Sequence, residues 1–274
     1  MFIIFESATT DSGQTLNRRG GIVKSLFYSV SIALIFLGLT ASNAANIALQ
    51  LDGKTYIEVP DSESLNPKKA LTIEAWMKME SNGGECLAKD WGGQRDYIFP
   101  ELIDGTKIRF VLWPQTKILD APGLELKKWQ HHAGVWDGKE MRIYVDGKKV
   151  GASAYSAKEL NDSKASLYIG VGDSAKWTCT GLIDEIRIWE VARTEKEIND
   201  FMMNTLMGDE PSLNAHYTFD KKNADDNTAN KNNGKKATGT PKYVDVTKEL
   251  NLKPLAVDAK NKLTSTWSQI KQIW

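Results

Sequence analysis

Between residues 47 and 189 apolar and polar positions alternate in short runs, each ended by Gly, Asp, Asn or Pro, and that period of two predicts antiparallel strands. The run 71–79 is the clearest, with Leu71, Ile73, Ala75, Met77 and Met79 on one side and Thr72, Glu74, Trp76 and Lys78 on the other. Residues 47–51 lead into the turn Asp52-Gly53 and 56–59 end at Pro60-Asp61, which predicts a hairpin. Further strands are predicted over 86–89, 97–102, 107–113, 129–136, 141–145 and 166–171, with tight turns at Asp137-Gly138 and Asp146-Gly147. In the run 181–189, strict alternation puts Leu182, Asp184, Ile186 and Ile188 on one face and Ile183, Glu185, Arg187 and Trp189 on the other. One carboxylate, Asp184, therefore joins an apolar face, where it needs hydrogen-bond donors, a cation or a solvated strand end. Residues 191–203 then read as a helix, with Thr194 as N-cap, Glu197 three positions on, and Ile198, Phe201 and Met202 at apolar spacing.

If Ile73, Val135, Ile143 and Ile186 point inward, the opposite faces carry Glu74, Trp76, Lys78, His132, Trp136, Arg142, Tyr144, Glu185, Arg187 and Trp189. Such a mixture of rings and charge fits a ligand platform. It also fits a sheet face covered by the 191–203 helix and a C-terminal segment, which is the preferred reading.

The N-terminal 44 residues have the character of an address. Arg18, Arg19 and Lys24 precede an apolar run, 26–39, and Ser42-Asn43-Ala44 offers a small-residue cleavage site, so a secretory signal peptide is expected, with initiation near Val23 giving a more ordinary one. The apolar run is shorter than the roughly 20 residues of a spanning helix, so membrane attachment follows only if the signal is retained as an anchor. Cleavage leaves about 230 residues, enough for one large all-β domain or two small ones. With 35 basic and 35 acidic residues the chain has no net field to attract nucleic acid. The only two cysteines, Cys86 and Cys179, lie beyond the signal, in a compartment where a pair usually forms a disulfide, and they make a poor zinc site without nearby histidines.

Six motifs in order carry a family resemblance: Ala48-Leu49-Gln50-Leu51-Asp52-Gly53, Tyr56-Ile57-Glu58-Val59-Pro60, Leu71-Thr72-Ile73-Glu74-Ala75-Trp76, the stretch from Trp129 through Gly138, Ile143-Tyr144-Val145-Asp146-Gly147, and Gly181 through Trp189. The chain resembles laminin-G-like jelly rolls of the concanavalin A-like lectin/glucanase superfamily. The resemblance implies an all-β, two-sheet antiparallel jelly roll sandwich with a short helix after the last core strand, an exported binding role, and commonly a calcium ion. The organisation expected is a signal over 1–44, the jelly roll over 45–206, a trailing strand (213–220) and polar loop over 207–247, and a tail over 248–274. The loop 223–240 reads as solvated, its Asp225, Asp226 and Asn230 being weak cation candidates. In the tail, Leu263, Trp267, Ile270 and Trp274 fall at helical spacing and can dock on the domain or engage a protein partner.

Catalysis finds little support. Glycoside hydrolysis needs two carboxylates flanking the scissile bond, yet the Asp184 strand carries no second acid on its face, and no Gly-x-Ser-x-Gly turn accompanies the three histidines. Ring-bearing residues set among turns are the ligand-binding candidates: Trp91, Tyr97, Trp113 and Trp177. Asp52 and Asp184 are the candidate calcium ligands, the alternative being that Asp184 accepts backbone N–H groups at a strand end. The reading is a secreted or cell-envelope, non-catalytic module that binds carbohydrate or a glycosylated surface. An adhesion module holding a protein partner through the tail is the alternative.

Overall fold

A computed structural model describes residues 45–81 and 83–254; the signal-peptide reading of 1–44 and the tail stripe at Leu263, Trp267, Ile270 and Trp274 lie outside the described residues. The strands in chain order are β1 (Ile47–Asp52), β2 (Tyr56–Val59), β3 (Leu71–Met79), β4 (Leu87–Trp91), β5 (Gln94–Ile103), β6 (Lys107–Leu112), β7 (Lys117–Pro122), β8 (Gln130–Trp136), β9 (Glu140–Val145), β10 (Lys148–Ala154), β11 (Leu167–Ile169) and β12 (Thr180–Trp189). Helix α1 (Glu195–Phe201) follows, then β13 (Asn204–Thr205), β14 (Leu213–Tyr217), β15 (Lys236–Thr238), β16 (Lys242–Asp245) and β17 (Lys253–Pro254). One sheet runs β10-β9-β8-β3-β12-β1-β16, with β14 as its eighth strand on β12; the other runs β15-β2-β11-β4-β5-β6-β7. The trailing segment thus supplies strands to both sheets.

Alternation puts the apolar residues of both sheets into one core. Ile73, Ile143, Ile183 and Ile188 from the eight-stranded sheet meet Ile57, Phe99, Phe110 and Ile169 from the seven-stranded one, all at most 3% exposed. Each such side chain removed from water is worth roughly 1.5–3 kcal/mol. Close packing fixes Gly134, where a Cβ would lie 2.8 Å from the Phe99 ring. Cys86 and Cys179 form a disulfide across a sequence separation of 93, joining the strand-β4 end of one sheet to the start of β12 in the other.

Two strands correct the parity read from the sequence. On β12, Asp184 pairs with Trp76 and Arg187 with Glu74, so three steps on β12 span two on β3, and Glu185 sits at φ 50° in the resulting bulge. One extra residue inverts the alternation. Before the bulge Ile183 faces inward beside Met77 while Leu182 and Asp184 face outward; after it Ile186 and Ile188 face inward and Arg187 outward. Asp184 therefore does not share a face with the isoleucines. On β8, Val135 pairs with Thr72 and packs outward with Tyr144 and Ile198, whereas Trp136 pairs with Leu71 in the core and His132 with the inward Ala75.

Helix α1 starts where the capping chemistry predicts. Thr194 Oγ1 accepts from the Glu197 N–H and a Glu197 carboxylate oxygen accepts from the Thr194 N–H at 2.7 Å. The polar loop departs from its solvated reading. Asp226 is 1% exposed and accepts from the N–H groups of His216, Thr228 and Asn232 and from the Thr228 hydroxyl, so a polar stretch is closed by its own side chains and not by water.

Candidate functional site

The outer face of the eight-stranded sheet is covered. Trp76 donates its Nε1–H to the Met202 carbonyl at 2.7 Å and packs with Ala48, Val246 and Leu250. Trp189 is fully buried against Phe201, Leu206 and Leu213, with the Arg193 guanidinium 4.0 Å from its ring centre. Between these rings lies a buried charge network. Arg187 pairs with Glu185 at 2.7 Å and with Glu74 at 3.6 Å and donates to the Phe201 and Asn204 carbonyls, while His216 meets Glu185 at 2.9 Å. Burial alone would raise the Glu185 carboxyl, yet His216 and Arg187 hold it down at about 2. Desolvation drives His131 down to about 4 and His132 to about 3, so both rings are neutral near pH 7. Such an arrangement fixes the cover to the sheet and buries both rings.

The calcium candidates are not brought together. Asp52 pairs with Thr180, so four residues, about 13 Å of strand, separate it along β12 from Asp184. Asp52 is exposed and its Oδ1 accepts from the N–H groups of Lys54 and Thr55, closing the turn. Asp184 is fully buried, and its Oδ1 accepts from the Glu185 N–H at 2.8 Å inside the bulge. Burial and the neighbouring Glu185 carboxylate raise its carboxyl well above the usual range. Asp52 and Asp184 therefore do not form one site, and among the described residues no three His, Cys, Asp or Glu side chains converge on a metal position.

The outer face of the seven-stranded sheet has a different make-up. Cross-strand partners share a face, and the registers run Glu58, Tyr168, Ala88, Ile98, Val111, Ile118 in one row. At one edge of this row Trp91 stacks on Tyr168, ring centres 4.2 Å apart and planes 25° apart, with Tyr56 at 6.1 Å from Tyr168. The Gly92 N–H donates to Asp173 at 3.1 Å, and Asp173 also lies 3.9 Å from Arg95, which contacts Asp90 at 3.3 Å and covers the Trp113 ring at 5.7 Å. Rings and charges thus form one continuous chain from Tyr56 to Trp113. The loop 172–177 rises beside it, closed by the Val171 to Thr178 bridge and anchored at Cys179, and it presents Trp177 at 55% exposure.

Acids underlie this platform. Glu85 and Glu101 face each other as bridge partners, and Arg109 contacts Glu101 at 3.6 Å and Asp120 at 2.6 Å. Burial, with Glu101, Asp90 and Asp173 adding repulsion, pushes Glu85 up to about 7; burial likewise pushes Asp90 up to about 6 despite Arg95.

Of the four rings predicted to meet a ligand, the structure gathers Trp91 and the loop bearing Trp177 on this face, whereas Trp113 is a correction, 7% exposed against Ala88, Ile98 and Val111 with Arg95 over its ring. Tyr97 is a correction: it is 1% exposed in the core and donates its hydroxyl to the Leu65 carbonyl at 3.1 Å, because parity on β5 turns it inward beside Leu112. Tyr56, Tyr168, Arg95, Glu85, Asp90 and Glu101 escaped the sequence reading. The outward parity of Tyr56 and Glu58 against the core residues Ile57 and Val59 was available in the sequence, whereas the Glu85 to Glu101 pairing depends on a bulge in β5.

A two-sheet jelly roll with one covered outer face and one ring-bearing outer face is the architecture of a concanavalin A-like sandwich. The chain belongs to the laminin G family of the concanavalin A-like lectin/glucanases superfamily, whose family model matches residues 51–199. It is 26% identical over 154 residues to usherin of Rattus norvegicus, covering 52% of this chain and 3% of usherin. It is 32% identical over 75 residues to pappalysin-1 of Mus musculus, covering 26% of this chain and 5% of that protein. The chain therefore spans only a small part of these relatives. A solved structure from Bacteroides ovatus, of a protein provisionally described as carbohydrate binding, is similar with a TM-score of 0.60 at 19% identity, over 74% of this chain and 60% of that one.

Proposed function

We propose that this chain is an exported, non-catalytic module that binds carbohydrate, or a partner bearing it, on the outer face of its seven-stranded sheet. The observation that carries the reading is the half-exposed Trp91 stacked on Tyr168, flanked by Arg95 and Asp173: flat apolar rings take a pyranose face while the charged groups orient hydroxyls. The description of the Bacteroides ovatus protein as carbohydrate binding supports it. Export is supported by the disulfide, which persists in oxidising compartments.

Geometry speaks against hydrolysis at the Glu85 and Glu101 pair. Glu85 is 7% exposed and its Oε2 lies so close to Gly172 that any Cβ there would be 1.5 Å away, which leaves no space for a scissile bond and its water. The test is a glycan array probed with the full chain, followed by titration calorimetry on any hit. Retention of a glycan and at least a tenfold loss in Trp91→Ala is the expected result. An array with no retained glycan, or a Trp91→Ala variant that binds as tightly as the parent, overturns it.

A further inference from the structure

We propose that the same face selects glycans that carry free amines, that is, cationic amino sugars, over N-acylated and anionic ones. This rests on the carbohydrate reading above and names its ligand class. Charge is the first argument. The chain as a whole balances 35 basic against 35 acidic residues, but this face does not balance. Arg95 contacts Asp90 and Asp173, Arg109 contacts Glu101 and Asp120, and Glu85 lies among Glu101, Asp90 and Asp173 with no cation within 4 Å among the described residues. Two guanidinium groups thus contact four of these five carboxylates, Lys176 and Lys107 act on Asp173 and Asp120 from further off, and Glu85 is left without a cation in contact.

The second argument is independent of the count. Glu85 Oε2 is buried and accepts no hydrogen bond, and Asp90 Oδ1 is buried with only the Arg95 guanidinium at 3.3 Å, on side chains 7% and 3% exposed. Buried acceptors without donors are costly, and a cation placed above them relieves both the desolvation and the mutual repulsion. Glu101 and Asp173 are half-exposed and offer direct contacts to an ammonium, with the acids beneath adding to the field. The Trp91 ring receives the apolar face of the sugar and attracts an adjacent ammonium through its π-face. A polyanion meets the opposite field.

The acids also set the pH response. Glu85 is faced by Glu101 from β5, Asp90 from β4 and Asp173 from the loop; Asp90 is faced by Arg95, Asp173 and Asp96. With Glu85 near 7 and Asp90 near 6, acidification through these values removes two of the five charges while leaving an amino sugar cationic, so amine preference falls in part as pH drops below about 6.

The test is titration of the full chain, in EDTA and near neutral pH, with a glucosamine hexamer, an N-acetylglucosamine hexamer, an oligogalacturonate and an oligolysine. The glucosamine hexamer is expected to bind at least tenfold more tightly than its N-acetylated counterpart, with the galacturonate weakest. Glu101→Gln keeps shape and is expected to shrink the ratio of glucosamine to N-acetylglucosamine affinity. In the parent chain, rising salt is expected to shrink the same preference, which keeps the proposal testable if the variant does not fold. Equal or tighter binding of the N-acetylated or anionic oligomer overturns the proposal, and so does oligolysine binding as tightly as the glucosamine hexamer. N-acetylglucosamine binding without amine preference overturns this inference alone; silence towards every oligosaccharide overturns the carbohydrate reading with it.

Discussion

The two sheets of this sandwich have outer faces of similar composition and opposite fate. Both carry tryptophans, arginines and several carboxylates. On the eight-stranded sheet the residues after β12 fold back as α1 and the 246–252 segment, so Trp76, Trp189 and Arg187 become a second, charged core. On the seven-stranded sheet Ala88, Ile98, Val111 and Trp113 are buried, but among the described residues Trp91 stays partly exposed and Trp177 is 55% exposed. Whether a ring-and-charge face is structural or available to a ligand is decided by what the chain does next, not by the strand that bears it.

The sharpest way to break the contrast is at the disulfide, since it ties β4 to the start of β12 and pins the loop that carries Trp177. Opening a loop of 93 residues in the Cys86→Ala/Cys179→Ala double variant is expected to cost about 4–5 kcal/mol in the chain-entropy account, read by denaturant unfolding. A cost under about 1 kcal/mol shows that the two sheets hold together without it.

The arginines separate the faces next. Arg187→Met leaves Glu185 and Glu74 buried beside uncompensated charge and is expected to cost about 3–5 kcal/mol, with Glu185→Gln in the same chain recovering part of it. Arg95→Met, on a side chain 43% exposed, is expected to change stability by at most about 1 kcal/mol while weakening the ligand. Equal losses for the two variants mean that the supposed open face is structural too.

Titration divides the faces by sign. His131 and His132 sit folded at about 4 and 3, below their ordinary value, so the unfolded chain binds more protons as pH falls below about 6.5, and their contribution is lost on acidification through the folded values. Glu85 and Asp90 are raised, so their contribution is present at low pH and lost as pH rises through about 6 to 7. His131→Met, on the outer face beside Trp76 and Glu74, is expected to make the acid limb of a stability–pH curve shallower, and Glu85→Gln to flatten the decline towards neutrality. If each substitution alters the other limb, the assignment of limbs to faces is wrong.

Much of this was legible in the residues. The alternating runs, the six ordered motifs, the capping box at Thr194 and the Cys86 to Cys179 pair lead to the fold, because each is a local rule that the structure obeys. What escaped is what local rules cannot contain. One inserted residue at Glu185 inverts the parity of half of β12 and turned an outward Asp184 into an apparent intruder on the core side. The phase of β8 is not legible from apolarity, because Val135 is as apolar as a core residue yet packs outward against Ile198 of α1. Asp226 lies in a stretch whose composition reads as solvated, and only its bonds to backbone N–H groups make it a buried organiser.

The smallest effects discriminate most finely, because they separate a ring that plugs the fold from one that meets a ligand. Tyr97→Phe removes the hydrogen bond to the Leu65 carbonyl and is expected to cost about 1 kcal/mol of stability with no change in ligand affinity. Trp177→Ala removes a ring that is 55% exposed, so stability is expected to move by less than about 0.5 kcal/mol, whereas affinity falls. The loop itself is secured through main-chain contacts, the Trp177 carbonyl accepting from the N–H groups of Glu85 and Gly172, so truncating the indole leaves its frame intact. A loss of stability in Trp177→Ala that matches the loss in Tyr97→Phe, with affinity unchanged, would reassign Trp177 as packing and move the binding surface towards Trp91 and Tyr168.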